Sequence, residues 1–207
     1  MSSLVLHIPP RIDEAQACRF FGRRRWGNLF GLLGRGTPAP RGNPGQPRQL
    51  PCIERVWIPH YQIDYQVNSH AGPGKASISL DACSGCFAFF QMHDALLEGP
   101  LEEACLPVLI TEETAAGQGR RDLLNAILRR RGQRGKPVIE NLLHIRVFYY
   151  PFWVCYFRRW RRYIDIRLQD AYSGERGGNR TRQGVLNAFV AQREATGRAA
   201  SLHKSPQ

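Results

Sequence analysis

Two short segments constrain the fold of this chain more than any other feature, because they repeat the same turn chemistry. The first reads DACSGC at residues 81–86 and the second reads DAYSGE at residues 170–175. In each, the Asp side chain can accept hydrogen bonds from the backbone N–H groups that follow, and the Gly can adopt the positive φ that a tight turn requires. The repeat predicts that the chain forms one local structure twice.

The stretches that open the two halves of the chain also correspond. IPPRIDEAQA (8–17) and LPVLITEETAA (106–116) share a proline, an isoleucine three residues later, and then an acidic stretch with alanines. Asp13 and Thr111 are suitable N-cap residues, and the acidic side chains nearby stabilise the positive end of a helix dipole. A helix is therefore predicted after each stretch. The two helical segments are EAQACRFFGRRRW (14–26) and RRDLLNAILRRR (120–131).

Each predicted helix is followed by runs rich in aromatic and β-branched residues, which favour strands. IERVWIPHYQIDYQV (53–67) aligns with IRVFYYPFWVCYF (145–157) when Pro59 is matched to Pro151. We expect a bulge, an edge or a break at each proline, because proline cannot donate to a sheet ladder. Second strands are predicted at ASISL (76–80) and YIDIRL (163–168), and each leads into one of the two turns.

These matches occur in the same order and predict an α+β protein of two similar helix-plus-antiparallel-sheet units that arose by internal duplication. The first unit would span residues 1–104 and contain a linker at residues 34–51 that is rich in Gly, Pro and Arg. The second, strongly basic unit would span residues 105–197. Residues 198–207 are expected to form a disordered tail.

The second half of the chain carries nearly all of the net charge of +12. Residues 1–104 contain ten basic and nine acidic side chains, whereas residues 105–207 contain nineteen basic and eight acidic ones. Clustered Lys and Arg favour association with polyanions. The candidate partner-binding residues lie on the second helix, on the connection FRRWRRY and in the stretch GERGGNRTRQG (174–184), which we interpret as a basic loop. They are Arg129, Arg130, Arg131, Arg158, Arg159, Trp160, Arg161, Arg162, Arg176, Arg180 and Arg182.

Three interpretations of this basic half stay open. Arginine and aromatic side chains are common anchors of protein interfaces, so the preferred one is a non-enzymatic accessory or assembly protein that binds an acidic protein surface. The alternative is an RNA or single-stranded DNA binding protein, in which Trp160 and Tyr163 stack on bases while arginines contact phosphates. The third is structural, with arginine stems covering apolar surface.

The first turn also contains a CxxC pair, which is half of a tetrahedral zinc site or a redox dithiol. In the second turn, Tyr172 and Glu175 replace the two cysteines. The retained residues are those that a turn needs, namely Asp81, Ser84, Gly85, Asp170, Ser173 and Gly174. We therefore expect a structural turn without a cofactor, and zinc or redox chemistry at Cys83 and Cys86 are the alternatives.

An enzyme is the remaining functional hypothesis. His60 and Asp64 lie on the polar face of an alternating run, and Asp81 follows the next predicted strand. Together these residues could form a metal or acid/base site. No Ser/His/Asp spacing, HExxH motif or glycine-rich phosphate loop appears in the sequence. A solvated strand face with incidental titratable groups is the favoured interpretation.

A helix that leads into strands closing on Asp-Ala-x-Ser-Gly, twice in tandem, resembles the PepSY-type repeat. The residues that carry the resemblance are Asp81, Ala82, Ser84 and Gly85, and Asp170, Ala171, Ser173 and Gly174. The resemblance implies non-catalytic modules that bind or regulate other proteins.

No stretch of the sequence has the length and apolarity of a membrane span. The longest apolar run, 142–157, contains His144, Arg146 and Pro151. The N-terminus lacks the charged leader and long apolar block of a signal peptide. A cytoplasmic protein is therefore expected, with most of the six cysteines as buried thiols. The sequence predicts no oligomeric state.

Overall fold

The computed structural model describes residues 4–22, 38–40, 50–69, 72–101, 105–129, 136–159 and 163–202, without the side chains of 159 and 197–202. The described strands are β1 (Val5–His7), β2 (Ala39–Pro40), β3 (Cys52–Ser69), β4 (Gly72–Asp81), β5 (Phe87–Phe89), β6 (Leu97–Gly99), β7 (Val138–Arg159) and β8 (Tyr163–Asp170). The described helices are α1 (Glu14–Gly22), α2 (Glu112–Arg129) and α3 (Asn179–Leu202), with a 3₁₀ helix at His93–Ala95.

The described strands form one eight-stranded sheet in the order β5-β4-β3-β7-β1-β6, with β2 beside β3 and β8 beside β7. The long strands β3 and β7 run antiparallel at its centre, where Ile58 lies opposite Tyr150. Parallel pairing occurs only where β1 meets β7 and β2 meets β3, among the strands of the ranges above. The predicted α+β class with a mostly antiparallel sheet is confirmed.

The central strands pass through their prolines without a break. Pro59 accepts a hydrogen bond from the N–H of Ala82 at 2.9 Å, and Pro151 accepts one from the N–H of Ala171 at 3.1 Å. The N–H and C=O of one residue in an antiparallel ladder point to the same side. Each proline therefore turns the side that lacks an N–H away from the β3–β7 ladder, so the strand continues at no loss of a central hydrogen bond.

The sheet has a different cover on each face. On the first face, α2 packs against Tyr61, Ile63 and Tyr65, and α1 packs near Trp153. On the second face, α3 and the segment 90–96 cover a core that includes Phe148. Complete burial of a side chain as large as Ile or Phe stabilises the fold by about 2 kcal/mol. Both faces therefore contribute to stability.

Helix α2 begins directly after its predicted cap but earlier than the predicted helix. The Oγ1 of Thr111 accepts a hydrogen bond from the N–H of Thr114 at 3.4 Å, and α2 then runs from Glu112 to Arg129. At the start of α1, Asp13 and Gln16 exchange side-chain to backbone hydrogen bonds of 2.6 and 2.9 Å, which is the reciprocal cap expected of such a pair. The region 112–119 was not part of the predicted segment.

Helix α3 is the largest departure from the sequence-based expectation. The stretch 174–184 was interpreted as a basic loop, but α3 begins inside it at Asn179. The helix also continues to Leu202, which lies within the segment 198–207 predicted to be a disordered tail, and residues 203–207 are outside the described residues. The buried side chains Val185 and Ala188 hold α3 against the sheet, so tertiary packing outweighs the low helix propensity of the glycines near its start.

The two DAxSG segments form turns with the same hydrogen bonds. Asp81 Oδ1 accepts from the N–H groups of Cys83 and Ser84 at 2.8 and 3.1 Å. Asp170 Oδ1 accepts from the N–H groups of Tyr172 and Ser173 at 2.8 and 2.9 Å. The glycine that follows has a φ of 67° in the first turn and 79° in the second.

Each turn binds the helix-leading stretch from the other half of the chain. The N–H groups of Leu109 and Ile110 donate to Ala82 O at 3.1 and 3.0 Å. In the same way, the N–H groups of Arg11 and Ile12 donate to Ala171 O, both at 2.8 Å. Elements from residues 1–104 and from residues 105–197 are therefore interleaved within one sheet.

The predicted linker at residues 34–51 is described only in part. Ala39 and Pro40 form β2 and lie beside Cys52 and Ile53 of β3. The Sγ of Cys18 lies 3.3 Å from Pro38 O, which joins this segment to α1. Residues 34–37 and 41–49 lie outside the described residues.

Candidate partner-binding site

The β7–β8 hairpin presents an arginine and two large apolar or aromatic side chains at its end. Arg158 lies opposite Ile164, and Arg159 lies opposite Tyr163. Tyr163 is 67% exposed and Ile164 is 61% exposed. Because successive strand residues project to opposite faces, Ile164 shares a face with Arg158, whereas Tyr163 projects from the other face. We call Arg158, Tyr163 and Ile164 the hairpin tip.

The remainder of the hairpin is anchored to the sheet. Pairing runs without interruption from Phe152 opposite Asp170 to Arg159 opposite Tyr163. The buried Phe157 ring has the Arg167 guanidinium carbon 5.0 Å from its centroid. The hairpin tip is therefore carried on a regular two-stranded extension, which fixes the direction in which its side chains project.

Several predicted site residues lie outside the part of the chain that the structure describes. Trp160, Arg161 and Arg162 connect β7 to β8 and lie outside the described residues, as do Arg130 and Arg131 after α2. Arg159 is described only as backbone.

Arg182 takes part in an internal contact. Its Nε donates to Ile166 O at 3.1 Å, and its guanidinium pairs with the carboxylate of Asp165. These bonds fasten the first turns of α3 to β8. The Arg182 side chain is therefore engaged in contacts within the protein.

Arg176 and Arg180 are exposed near the start of α3. The backbone of Arg176 forms an isolated antiparallel β-bridge with Gln169, near the end of β8 that is distant from the hairpin tip. Five residues along the strand separate Gln169 from Ile164, which corresponds to about 17 Å. Arg176 therefore lies near the end of the hairpin that is distant from the hairpin tip.

Arg129 lies far from the other predicted binding residues that the structure describes. The guanidinium of Arg120, in the same helix, donates to Ile139 O at 3.0 Å, and Lys136 Nζ donates to Leu128 O at 2.9 Å. The end of α2 is thus beside the beginning of β7. Ile139 and Arg158 are nineteen residues apart on that strand, or about 60 Å in an extended chain. Within the described ranges, the predicted basic residues therefore do not form one patch.

The CxxC pair is held within the first turn. Cys83 is buried, and its Sγ lies 3.4 Å from Pro107 O. Burial, with a smaller effect from the Asp81 charge, raises the pKa of Cys83 to about 12. Metal ligation and thiol exchange both need the thiolate, so this environment opposes both. Among the described residues, no group of three or more His, Cys, Asp and Glu side chains is placed to hold a metal ion.

His60 lies in an apolar and acidic environment on the second face of the sheet. Its Nδ1 is 3.1 Å from Ser79 Oγ, and its ring centroid is 5.5 Å from those of Phe148 and Tyr150. Burial lowers the pKa of His60, while the nearby Asp81 and Asp170 charges oppose that shift. The hydroxyl of Tyr150 in turn donates to Asp170 Oδ2 at 3.0 Å. The neutral imidazole thus completes a packed layer.

Asp64 belongs to a different set of contacts. Its Oδ2 is 2.9 Å from Lys75 Nζ, and Gln62 Nε2 donates to its Oδ1 at 3.5 Å. Burial acts to raise the pKa of Asp64, but hydrogen bonds from Ser77, Lys75 and Gln62 and the Lys75 charge outweigh it, so the pKa lies below its usual value. Four residues of strand, about 13 Å, separate Asp64 from His60. The two do not form an acid/base pair.

The sequence did not predict that the side chain of Ile164 is exposed. In YIDIRL the alternation places Ile164 on the same face as Ile166 and Leu168, which suggests burial for all three. Ile166 and Leu168 are buried, whereas Ile164 extends past the core. The only sequence signal for the exposure of Ile164 is its distance from the turn at Asp170. The hairpin is longer than the layer of side chains that covers this face of the sheet.

The chain matches no protein-family model, no curated protein and no solved structure. The described helices include none with the length and apolarity needed to cross a bilayer.

Proposed function

We propose that the chain is a non-enzymatic accessory or assembly protein that binds an acidic surface of a protein partner through the hairpin tip. The observation that carries the proposal is the exposure of Ile164 directly opposite Arg158, with the exposed Tyr163 next to Ile164 on the other face of the hairpin. Arginine and tyrosine are enriched among the residues that dominate binding energy at protein interfaces. The net charge of the second half favours an acidic surface on the partner.

The apolar side chain at the hairpin tip favours a protein over a nucleic acid. Nucleic-acid interfaces are polar and depend on phosphate contacts, to which an aliphatic side chain contributes little. Ile164 would gain about 2 kcal/mol from burial in a pocket of a protein partner. It is paired with Arg158 across the strands, so one contact area combines apolar burial with charge attraction.

RNA or single-stranded DNA binding is the second candidate, and the exposed ring of Tyr163 supports it. An exposed aromatic ring near arginines can stack on a base while the guanidinium groups contact phosphates. This candidate requires an affinity that falls steeply with salt concentration, since each phosphate contact releases counterions. Retention of labelled single strands on a filter at low salt, lost at high salt, would favour it over the protein partner.

The proposed origin of the fold is an internal duplication, as the resemblance to PepSY-type repeats implies. When the chain is aligned on Pro59 and Pro151, Ile58 corresponds to Tyr150, and these two residues pair with each other at the centre of the sheet. Contacts on both sides of this pair match: Leu106 N donates to Trp57 O at 2.9 Å, and Ile8 N donates to Tyr149 O at 3.0 Å. This reciprocity supports an approximate twofold relation between the halves.

The proposed location is the cytoplasm. None of the six cysteines, all of which lie in the described part of the chain, forms a disulfide, although several of them lie in the protein core. Buried thiols without disulfides are ordinary in a reducing compartment.

The proposal is tested by affinity purification at native expression level. The variants are Arg158→Glu and Ile164→Ser, and the control is Val190→Ser, which alters a residue of α3 that is 58% exposed. We expect one stoichiometric acidic protein to co-purify with the unaltered chain and with the control, and to be lost from both hairpin variants. Equal recovery with all three variants, or recovery of chaperones alone, would reject the hairpin tip as the binding site.

A further inference from the structure

Along residues 138–145, one edge of β7 pairs with no strand of the described residues, and we call it the open edge. From Val138 to Ile145 β7 pairs with β3 on one side, and no described strand pairs with its other side before His7 meets Tyr149. An unpaired strand presents N–H and C=O groups that can extend the sheet with a further strand. The feature lies at the opposite end of β7 from the hairpin tip and is independent of the function proposed for that tip.

Both limits of the open edge are set by existing hydrogen bonds. At one end, the carbonyl oxygen of Ile139 accepts from the Arg120 guanidinium at 3.0 Å. At the other end, the carbonyl oxygen of Tyr149 accepts from the N–H of Ile8 at 3.0 Å. The stretch between them contains Glu140–Arg146, with Leu143 in the middle.

The middle of this stretch is apolar and turned to solvent. Leu142 is 45% exposed and Leu143 is 53% exposed, and their neighbours Asn141 and His144 are also exposed. The β3–β7 register shifts at this point, which lets both leucines turn outwards although they are adjacent in sequence. Two exposed leucines on an open edge favour pairing with another strand.

The sequence of the edge is complementary to itself in the antiparallel direction. If a second copy pairs about a twofold axis through Leu143, Glu140 lies opposite Arg146, Asn141 lies opposite Ile145, and Leu142 lies opposite His144. The axis generates the Glu140–Arg146 pair twice, once at each end of the seam. Opposite charges placed across two strands stabilise their pairing. A parallel arrangement would place like charges side by side.

Helix α2 adds apolar surface next to the same edge. Leu124 and Leu128 follow Arg120 at helical spacing, on the side of α2 from which Arg120 reaches Ile139, and both are exposed. A twofold axis perpendicular to the sheet keeps α2 of both copies on the same face. The leucines of one α2 would then face those of the other across the seam.

We propose that Glu140–Arg146 is the interface through which two copies of this chain associate, by antiparallel pairing of their β7 edges. Such an interface is isologous, with each copy using the same residues. It would produce one continuous sheet through two molecules and leave both hairpin tips free at the outer ends of β7.

The association is measured by sedimentation velocity over a range of concentrations, with Leu143→Lys as the test variant. The matched control is Phe89→Lys, because Phe89 is an exposed apolar residue, 41% exposed, on β5 at the opposite edge of the sheet. We expect a dimer for the unaltered chain and for the control, and a monomer for Leu143→Lys. A monomer for the unaltered chain at the highest soluble concentration would overturn the proposal, as would a dimer that is insensitive to Leu143→Lys.

A charge exchange keeps the test decisive if Leu143→Lys does not fold. Glu140→Arg brings like charges together at both ends of the seam and should raise the dissociation constant about tenfold. The double variant with Glu140→Arg and Arg146→Glu restores opposite charges and should restore the affinity. Failure of the double variant to recover dimerisation, with an unchanged circular dichroism spectrum, would contradict the pairing.

Discussion

The indole N–H of Trp153 donates to the carbonyl oxygen of Ile12 at 2.9 Å, and the hydroxyl of Tyr61 donates to the carbonyl oxygen of Ile110 at 2.9 Å. Trp153 and Tyr61 correspond when the chain is aligned on its two central prolines. Each side chain holds the entry of a helix that comes from the other half of the chain. These two bonds therefore tie the halves together reciprocally.

Replacement of Trp153 by Phe should destabilise the protein by about 2–4 kcal/mol, because the smaller ring leaves a cavity and the carbonyl of Ile12 loses a buried donor. Tyr61→Phe removes only the corresponding donor and should cost about 1–2 kcal/mol. The free energy of unfolding in urea measures both. A cost that appears for one variant and not for the other would show that the two bonds are not equivalent.

Gly174→Ala should destabilise the protein by about 1 kcal/mol, because Gly174 has a φ of 79°. A Cβ there would lie 3.4 Å from the Cδ1 of Ile12, which is an ordinary contact, so the cost comes from the backbone alone. The control is Gly117→Ala in α2, where a Cβ meets nothing within 4 Å. That change should stabilise the protein by about 1 kcal/mol, and thermal unfolding distinguishes the opposite signs.

Gly184→Ala should separate α3 from the first turn. A Cβ at Gly184 would lie 2.6 Å from the Cβ of Ser84 and 2.9 Å from its backbone nitrogen, so the helix has to shift. The expected loss of stability is about 1–3 kcal/mol. Hydrogen exchange should show lower protection in α3 for this variant. Gly178→Ala, where a Cβ meets nothing within 4 Å, should leave the protection of α3 unchanged.

His60→Phe should reduce the loss of stability in acid. Burial, opposed by the charges of Asp81 and Asp170, leaves the pKa of His60 in the folded protein below its value in the unfolded chain. Stability from the neutral imidazole is thus present above the unfolded pKa and is lost as the pH falls through the folded pKa. The measurement is the free energy of unfolding between pH 8 and pH 5. This free energy should depend less on pH in His60→Phe than in the unaltered chain. An unchanged slope would show that His60 is not the responsible group.

Local patterns in the sequence predicted the central strands and the two turns. They did not predict helix α3, because α3 depends on packing between distant segments. The strands around Pro59 and Pro151 are rich in β-branched and aromatic residues, and Asp81 and Asp170 define their turns by contacts within a few residues. By contrast, α3 is held by Val185 and Ala188 against a sheet that is assembled from the whole chain. Glycines at 174, 177, 178 and 184 lie before or just inside its start, so propensity alone favoured a loop.

The candidate site was predictable in composition but not in position. The sequence shows arginines beside aromatic residues in FRRWRRY, and this pattern identified the end of the β7–β8 hairpin. It contains no information on the length of the hairpin relative to the core, which decides that Ile164 is exposed. Nor does it show that Arg129 lies at the far end of a strand 22 residues long, or that Arg182 pairs with Asp165.

Contact between the hairpin tip and a protein partner is the interaction on which the proposed function depends. It is measured by cross-linking in cells from a photoreactive amino acid placed at Tyr163, with Val190 as the matched position on α3. We expect one cross-linked acidic protein from position 163 and none from position 190. Cross-links to the same protein from both positions, or from position 190 alone, would show that the hairpin tip is not the contact site.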